Sequence, residues 1–130
     1  MKIKDEMINK AVDALQSTGI VVGGLYSKEF KGYISSFGAA VIQSGLLPAV
    51  IFYEDNGNSD EERSLLIRAI VIILNDEMGY NIQSAFSEFI RINERNKQKL
   101  TDDVSKAAVS LKLALRIFKK RANENQNEEE

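Results

Sequence analysis

One stretch of the chain, residues 59–79, limits the possible folds more than any other. Its apolar centre holds a single polar side chain, Arg68. In a helix, Glu61, Ser64, Arg68 and Asn75 fall on one narrow seam, and apolar residues cover most of the remaining surface. Ser59 and Glu62 have the spacing of a capping box, and a glycine closes the stretch. A strand over 70–74 is the alternative, because isoleucine and valine favour sheets. Since the apolar pattern continues for about three turns, we predict the central helix of a bundle, buried on several sides.

Arg68 interrupts this apolar helix and therefore needs an explanation. It either pairs with an acid across the bundle or extends its aliphatic stem to bring the guanidinium to solvent. Both are structural roles, and we favour them over a ligand site.

Five further segments have the apolar spacing of helices. Ser27 is the expected N-cap of the second helix in the chain, and Gly45 predicts a Schellman ending for it. Pro48 suits the first position of a short helix, in which residues 50–53 should face the core. The same four residues would alternatively form an isolated strand. The five predicted helices span residues 4–17, 28–44, 48–53, 84–96 and 101–122.

The connecting segments and the length of 130 residues indicate one domain. Residues 19–26 contain three glycines and are predicted to be a connector, while the acidic segment 54–62 is predicted to be a loop. Residues 123–130 carry four glutamates and no base, which predicts a disordered tail. The expected fold is all-α: a single compact bundle of five to six helices over residues 1–122, followed by a disordered acidic tail over residues 123–130.

Composition argues against several classes of function. The chain has no Cys and no His, so thiol nucleophiles, the usual zinc sites and the commonest general acid/base are missing. It contains no GxSxG, P-loop or GxGxxG motif. The acids at 60–62 and 102–103 are explained by helix starts, and adjacent acids such as Asp76 and Glu77 diverge on a helix. We therefore expect no catalysis, no metal site and no cofactor.

No feature of the sequence suggests a membrane protein. The longest apolar run is about half the length of a membrane span, and the charged N-terminal residues do not suit a signal peptide. The expected location is the cytoplasm, without membrane contact.

Charge is distributed unevenly along the chain. Residues 91–121 contain ten Lys or Arg against three acids, although the net charge of the whole chain is −2. The last predicted helix separates three faces: a core stripe beginning at Val104, a basic face, and a second apolar ridge at i, i+4 and i+8. The basic face carries Lys112, Arg116, Lys119 and Lys120, and the second ridge carries Val109, Leu113 and Ile117. Burial of this ridge in the bundle and contact with another molecule remain alternatives, and exposure of Leu113 would favour the contact.

Two regions of the sequence carry a resemblance to a known family. The first has aromatic residues at 33–37, a Ser-Gly-Leu corner at 44–46 and a Phe-Tyr pair at 52–53, and the second is residues 111–122, which mix Leu and Phe with Lys and Arg. With this order of helices, the chain resembles the small, all-helical subunit of the Cmr (type III-B) CRISPR effector complex. The resemblance covers nearly the whole chain.

The resemblance implies a non-catalytic role in antiviral defence. Small subunits of such complexes lie as a short filament along the guide RNA and target RNA, packed against backbone subunits that carry out cleavage. The implied partners are the other Cmr subunits, both RNA strands and further copies of this chain. The predicted RNA-binding residues are bases about one turn apart that can follow phosphates: Lys28, Lys31, Lys112, Arg116, Lys119 and Lys120.

Three alternatives remain open from the sequence. The basic residues would form a merely solvated face if the chain were a protein-only helical adaptor whose ridge at Val109, Leu113 and Ile117 binds a partner helix. The small subunit of the related type III-A complex is a nearer alternative. A metal-dependent nuclease is the third, and it is disfavoured because the carboxylates show no convergent spacing.

Overall fold

The computed structural model describes residues 1–55 and 62–122, and the elements given below belong to these two ranges. The predicted helical bundle is confirmed. The structure also contains a small three-stranded sheet, which was not predicted. A short 3-10 turn, Glu94–Asn96, precedes the last helix. The helices are α1 (Asp5–Ser17), α2 (Lys28–Ser44), α3 (Leu46–Glu54), α4 (Ser64–Glu77), α5 (Phe86–Ile92) and α6 (Lys97–Leu115). The strands are β1 (Val21–Val22), β2 (Leu25–Tyr26) and β3 (Lys119–Lys120).

Helix α4 is the central helix, as its composition predicts. It packs against α1, α2, α3 and α6. Its start differs from the prediction: α4 begins at Ser64, and Glu62 precedes the helix, where its carbonyl accepts the amide of Leu65 at 3.0 Å. A capping box with Glu62 in the first turn is therefore wrong, while Ser59 lies outside the described residues. Arg68 is exposed, which agrees with extension to solvent. The fully or nearly fully buried side chains of α4 are Leu66, Ile67, Ala69, Ile70, Ile73 and Leu74.

The α2–α3 corner depends on one glycine. Gly45 has φ 95° and ψ 164°, so it is not the left-handed helical residue of a Schellman motif, and that prediction is wrong. Its amide donates to the carbonyl of Val41 at 3.0 Å, and its carbonyl accepts the amide of Ala49 at 3.3 Å. Because the same residue ends α2 and begins α3, the new helix starts at Leu46 rather than at Pro48.

The predicted core face of α3 is only partly correct, whereas the apolar face of α2 is fully buried. In α2, Phe30, Ile34, Phe37 and Val41 recur at helical spacing, and all four are buried. In α3, by contrast, Ile51 and Phe52 are 50% and 61% exposed, although both were expected to face the core. An α-helix cannot direct four consecutive residues toward one side, which explains this error. The helical backbone also excludes the isolated strand over 50–53.

The glycine-rich segment 19–26 is not a plain connector. Gly23 and Gly24 both have positive φ, 61° and 78°, and they turn the chain tightly enough for β1 to pair antiparallel with β2. Strand β3 then pairs parallel with β2, with Leu25 opposite Lys119 and Tyr26 opposite Lys120. The sequence did not indicate any of these strands.

Both ends of the last helix differ from the prediction. Helix α6 begins at Lys97, and Thr101 is an interior residue whose hydroxyl donates to the carbonyl of Lys97 at 2.8 Å. The helix ends at Leu115 rather than at Ala122. After Leu115 the chain forms a tighter, 3-10-type turn, since the amide of Ile117 donates to the carbonyl of Ala114, three residues earlier. The predicted helix over 84–96 is likewise shorter and consists of α5 and the 3-10 turn.

Candidate nucleic-acid interface

The small sheet brings two distant basic segments together. The amide of Lys119 donates to the carbonyl of Gly24 at 3.0 Å, and the amide of Arg121 donates to that of Tyr26 at 2.7 Å. Lys28 follows Tyr26 by two residues and opens α2. The C-terminal end of α6, the strand β3 and the N-terminal end of α2 therefore meet at one corner of the bundle.

We call this surface the basic corner. In the segments that form it, 28–31 and 112–121, Glu29 is the only acid. Every basic residue of these segments is exposed. The ion pairs between described residues join Lys10 to Asp76, Arg91 to Glu88 and Lys99 to Asp103. None of these pairs includes a base of the two segments. The basic corner consists of Lys28, Lys31, Lys112, Arg116, Lys119, Lys120 and Arg121.

The corner contains all six predicted RNA-binding residues, but not in the predicted arrangement. Lys112 lies on α6, Arg116 caps that helix, and Lys119 and Lys120 lie on β3. A single basic face on one helix is therefore wrong, because the helix ends before Lys119. The sequence analysis also did not single out Arg121, which the pairing of β3 with β2 holds beside the others. Its position at the end of a basic run, 119–121, was the available signal.

The electrostatics of the corner favour anions. The corner has seven bases and a single acid, and the N-terminal end of the 17-residue helix α2 adds the positive end of its dipole. Ser27 occupies the N-cap position, as predicted, but its side chain makes no capping hydrogen bond. Exposed lysines and arginines in such a cluster can bind backbone phosphates as point charges, without reading sequence.

An apolar groove lies next to the basic corner, between α2 and α6. Small residues form much of its lining, and the exposed Ile42 stands at its edge with 86% of its surface accessible. Lys112 is the one charged side chain in this lining. The lining includes Ser35, Gly38 and Ala39 from α2 and Ser105, Ala108 and Val109 from α6.

The predicted second ridge of the last helix is split by the end of α6. Val109 is half-buried and lines the groove, while Leu113 is 38% exposed. Ile117 lies beyond the helix and is 65% exposed. Exposure of Leu113 is the observation that favours contact with another molecule over burial in the bundle.

A second polar cluster joins α6 to the segment after α4. The Tyr80 hydroxyl donates to Asp103 Oδ2 at 2.6 Å, and Lys99 Nζ donates to the same oxygen at 2.8 Å. Burial, and then the bond to Asp103, raises the pKa of Tyr80. Burial alone would raise the pKa of Asp103, but the hydrogen bonds from Lys99 and Tyr80 outweigh it and lower that pKa. The sequence analysis assigned Asp103 to a helix start and so missed this cluster.

Comparison with known families gives a match over almost the whole chain. The family described as CRISPR-associated protein (Cas_Cmr5) matches residues 4–124. The chain belongs to this family. Cmr5 proteins are the small subunits of the type III-B Cmr complex, so the resemblance seen in the sequence is confirmed. No curated protein and no solved structure matches the chain.

Membership of the Cmr5 family decides one of the alternatives left open by the sequence. It assigns the chain to the type III-B complex rather than to type III-A, and it implies other Cmr subunits as partners. Among the described residues, no three or more acidic side chains lie together as metal ligands would, and no helix has the length and apolar content of a membrane span.

Proposed function

We propose that this Cmr5-family chain is a non-catalytic, RNA-contacting and assembly subunit that stacks along the guide and target RNA in the cytoplasm and serves antiviral defence. The basic corner carries the RNA part of this proposal. It gathers seven exposed bases from three elements against one acid, and such a surface suits the phosphate backbone of RNA. The resemblance, in which cleavage belongs to the backbone subunits and small subunits form a short filament, supports the non-catalytic role and the stacking.

Charge reversal tests the basic corner in the assembled complex. We expect the triple variant Lys28→Glu, Arg116→Glu and Lys120→Glu to weaken retention of target RNA by about tenfold or more at 0.1 M salt. The three changes lie at the start of α2, at the C-cap of α6 and in β3. The slope of log affinity against log salt should also become shallower, since each lost phosphate contact on single-stranded RNA removes about 0.7 from it. Filter binding across a salt series measures both quantities.

A matched control separates a local effect from a change in net charge. Lys2, Arg95 and Lys97 are exposed bases outside the corner, and their reversal to glutamate changes the net charge equally. This control should retain RNA nearly as well as the unmodified complex. Equal losses in both triple variants, or no loss in either, would contradict a role for the basic corner.

The protein-only adaptor is the second candidate function, and the groove between α2 and α6 favours it. An apolar lining with a single lysine suits the apolar side chains of a protein helix better than it suits phosphates. The two functions use different surfaces. If reversal of the corner leaves RNA retention intact while disruption of the groove releases the chain from the complex, the adaptor function is the correct one.

A further inference from the structure

We infer that RNA binding and the docking of strand β3 onto β2 stabilise each other. Without a bound polyanion, β3 separates from β2 at a low cost in free energy, and phosphates that contact both β3 and the start of α2 hold it in place. The inference rests on the proposed function, because it adds a conformational step to the surface proposed to bind RNA. The ligand chemistry is a chain of linked phosphates.

Strand β3 is held by its backbone rather than by its side chains. Its pairing with β2 covers two residues of each strand, Leu25–Tyr26 and Lys119–Lys120. Both side chains of β3 and that of Arg121 are exposed, so no apolar burial adds to the backbone bonds. Phe118, just before the strand, is partly buried against the core. Segments with exposed hydrogen bonds and little apolar burial open at free energies well below that of global unfolding.

Charge opposes the docking of β3. The pairing with β2 places three consecutive bases, residues 119–121, at the same corner as Lys28 and Lys31 and the positive end of the α2 dipole. In the described part of the chain, no salt bridge includes any of these bases. Like charges that are brought together raise the free energy, and salt screens this repulsion beyond about 8 Å at physiological ionic strength. Docked β3 is therefore less stable at low salt than at high salt.

Phosphates reverse this balance. A phosphate that lies between β3 and the start of α2 replaces repulsion with attraction on both sides. It makes both contacts only when β3 is docked, so the docked state binds a chain of phosphates more tightly than the open state. A ligand that prefers one of two states shifts the population toward it, and docking raises the affinity for the ligand by the same factor. We expect a factor of about five or more.

Gly24 offers a way to disfavour docking without removing any charge. It has φ 78°, and its carbonyl accepts the amide of Lys119 at 3.0 Å. A Cβ at Gly24 meets no atom within 4 Å, but the left-handed backbone disfavours alanine, so Gly24→Ala destabilises the β1–β2 hairpin without a clash. Gly79→Ala is the matched control. Gly79 has φ 77° and equally open surroundings, and it lies between α4 and α5, outside the basic corner.

Amide hydrogen exchange measures the docking of β3 in the full-length protein. The amides of Lys119 and Arg121 should exchange faster than that of Leu111, which is buried in α6. Relative to Leu111, their exchange should slow as salt rises from about 0.05 M to about 0.5 M, because screening removes the repulsion. At low salt, a saturating short oligouridylate should slow both amides by about fivefold or more. Inorganic phosphate at the same phosphate concentration should have little effect, since its ions are not linked.

The glycine variants test the reverse direction of the coupling. By fluorescence anisotropy, Gly24→Ala should bind the oligouridylate about fivefold or more weakly than the unmodified protein, whereas Gly79→Ala should stay within about twofold of it. Urea unfolding shows that both variants are folded, and the exchange of the unmodified protein decides the question if Gly24→Ala is not.

Three results would overturn the coupling. The first is equal RNA affinity in the two folded glycine variants, and the second is RNA binding that leaves the exchange of Lys119 and Arg121 unchanged. The third is equal slowing by inorganic phosphate, which would exclude linked phosphates as the ligand.

The same readouts separate this inference from the proposed function. If the oligouridylate binds and the exchange does not change, the coupling fails and RNA contact at the basic corner stands. If the unmodified protein binds no oligouridylate at any salt concentration, RNA contact by the isolated subunit fails, and the coupling fails with it.

Discussion

Glu54 links two helices that are far apart in sequence. Its Oε2 accepts the backbone amide of Phe86 at 2.7 Å, and its Oε1 accepts the hydroxyl of Ser87 at 2.5 Å. The last residue of α3 thereby caps the start of α5. We expect Glu54→Ala to lower the free energy of unfolding by about 1–2 kcal/mol, because it leaves a helix N-terminus without its acceptor. Urea unfolding measures this change.

The control for Glu54 is an acid whose partner is exposed. Glu88 pairs with Arg91 at 2.9 Å on the surface of α5, so Glu88→Ala should cost no more than about 0.5 kcal/mol. The capping role of Glu54 is contradicted if both alanine variants unfold at the same urea concentration.

Asp103 makes the stability of the bundle sensitive to acid. Its pKa is lowered in the fold, because the hydrogen bonds from Lys99 and Tyr80 outweigh the opposing effect of burial. A carboxyl with a lowered folded-state pKa stabilises the fold above its unfolded pKa, and this contribution is lost as pH falls through the folded value. Asp103→Asn should therefore cost about 1–2 kcal/mol at pH 7 and progressively less below about pH 4.

Urea unfolding at several pH values tests the role of Asp103. Asp102→Asn is the matched control, since Asp102 is the neighbouring exposed acid and its described partner is Gln98. The control should show little change in stability at any of these pH values. A cost of Asp103→Asn that stays the same from pH 7 to about pH 3 would show that its charge does not contribute.

At the scale of the elements, the sequence predicts interiors better than ends. The apolar spacing identified α1, α2 and α4, because a buried stripe needs a fixed period. The end of α6 was missed, since Arg116, Ile117 and Phe118 continue the helical pattern of charge and apolarity. What ends that helix is the pairing of Lys119 with Gly24 and Arg121 with Tyr26, contacts about 95 residues apart in sequence that no local pattern reports.

The same long-range pairing decides the candidate site. Sequence reasoning selected six of the seven corner bases as separate groups on two helices, because charge alone can be counted along the chain. Their convergence depends on the hairpin at Gly23 and Gly24, which presents β2 to β3. A two-residue strand has too short a pattern to be recognised beforehand. The residue types of the site were therefore predictable, and their arrangement was not.

At the scale of the whole molecule, two neighbouring surfaces suit two different partners, RNA and protein. The basic corner is polar and positive, whereas the groove between α2 and α6 is apolar. We expect the groove to bind apolar side chains of a neighbouring Cmr subunit. Ile42→Asp should weaken retention of the chain by the other Cmr subunits by about tenfold or more, since burial of an isoleucine contributes about 1.5–3 kcal/mol. Co-purification of the reconstituted complex measures retention.

Two further variants make this last prediction specific to the groove. Gly38→Leu should weaken retention as well, because a Cβ at Gly38 meets no atom within 4 Å and the new side chain fills the groove without a clash at its base. Ile92→Asp is the control, since Ile92 is 71% exposed on α5, outside the groove. Neither groove variant should lower the unfolding transition of the parent protein, because Ile42 is exposed and a Cβ at Gly38 meets no atom within 4 Å. Retention that is equal in all three variants would show that the groove does not hold a partner, and the chain would then be held in the complex by its other surfaces.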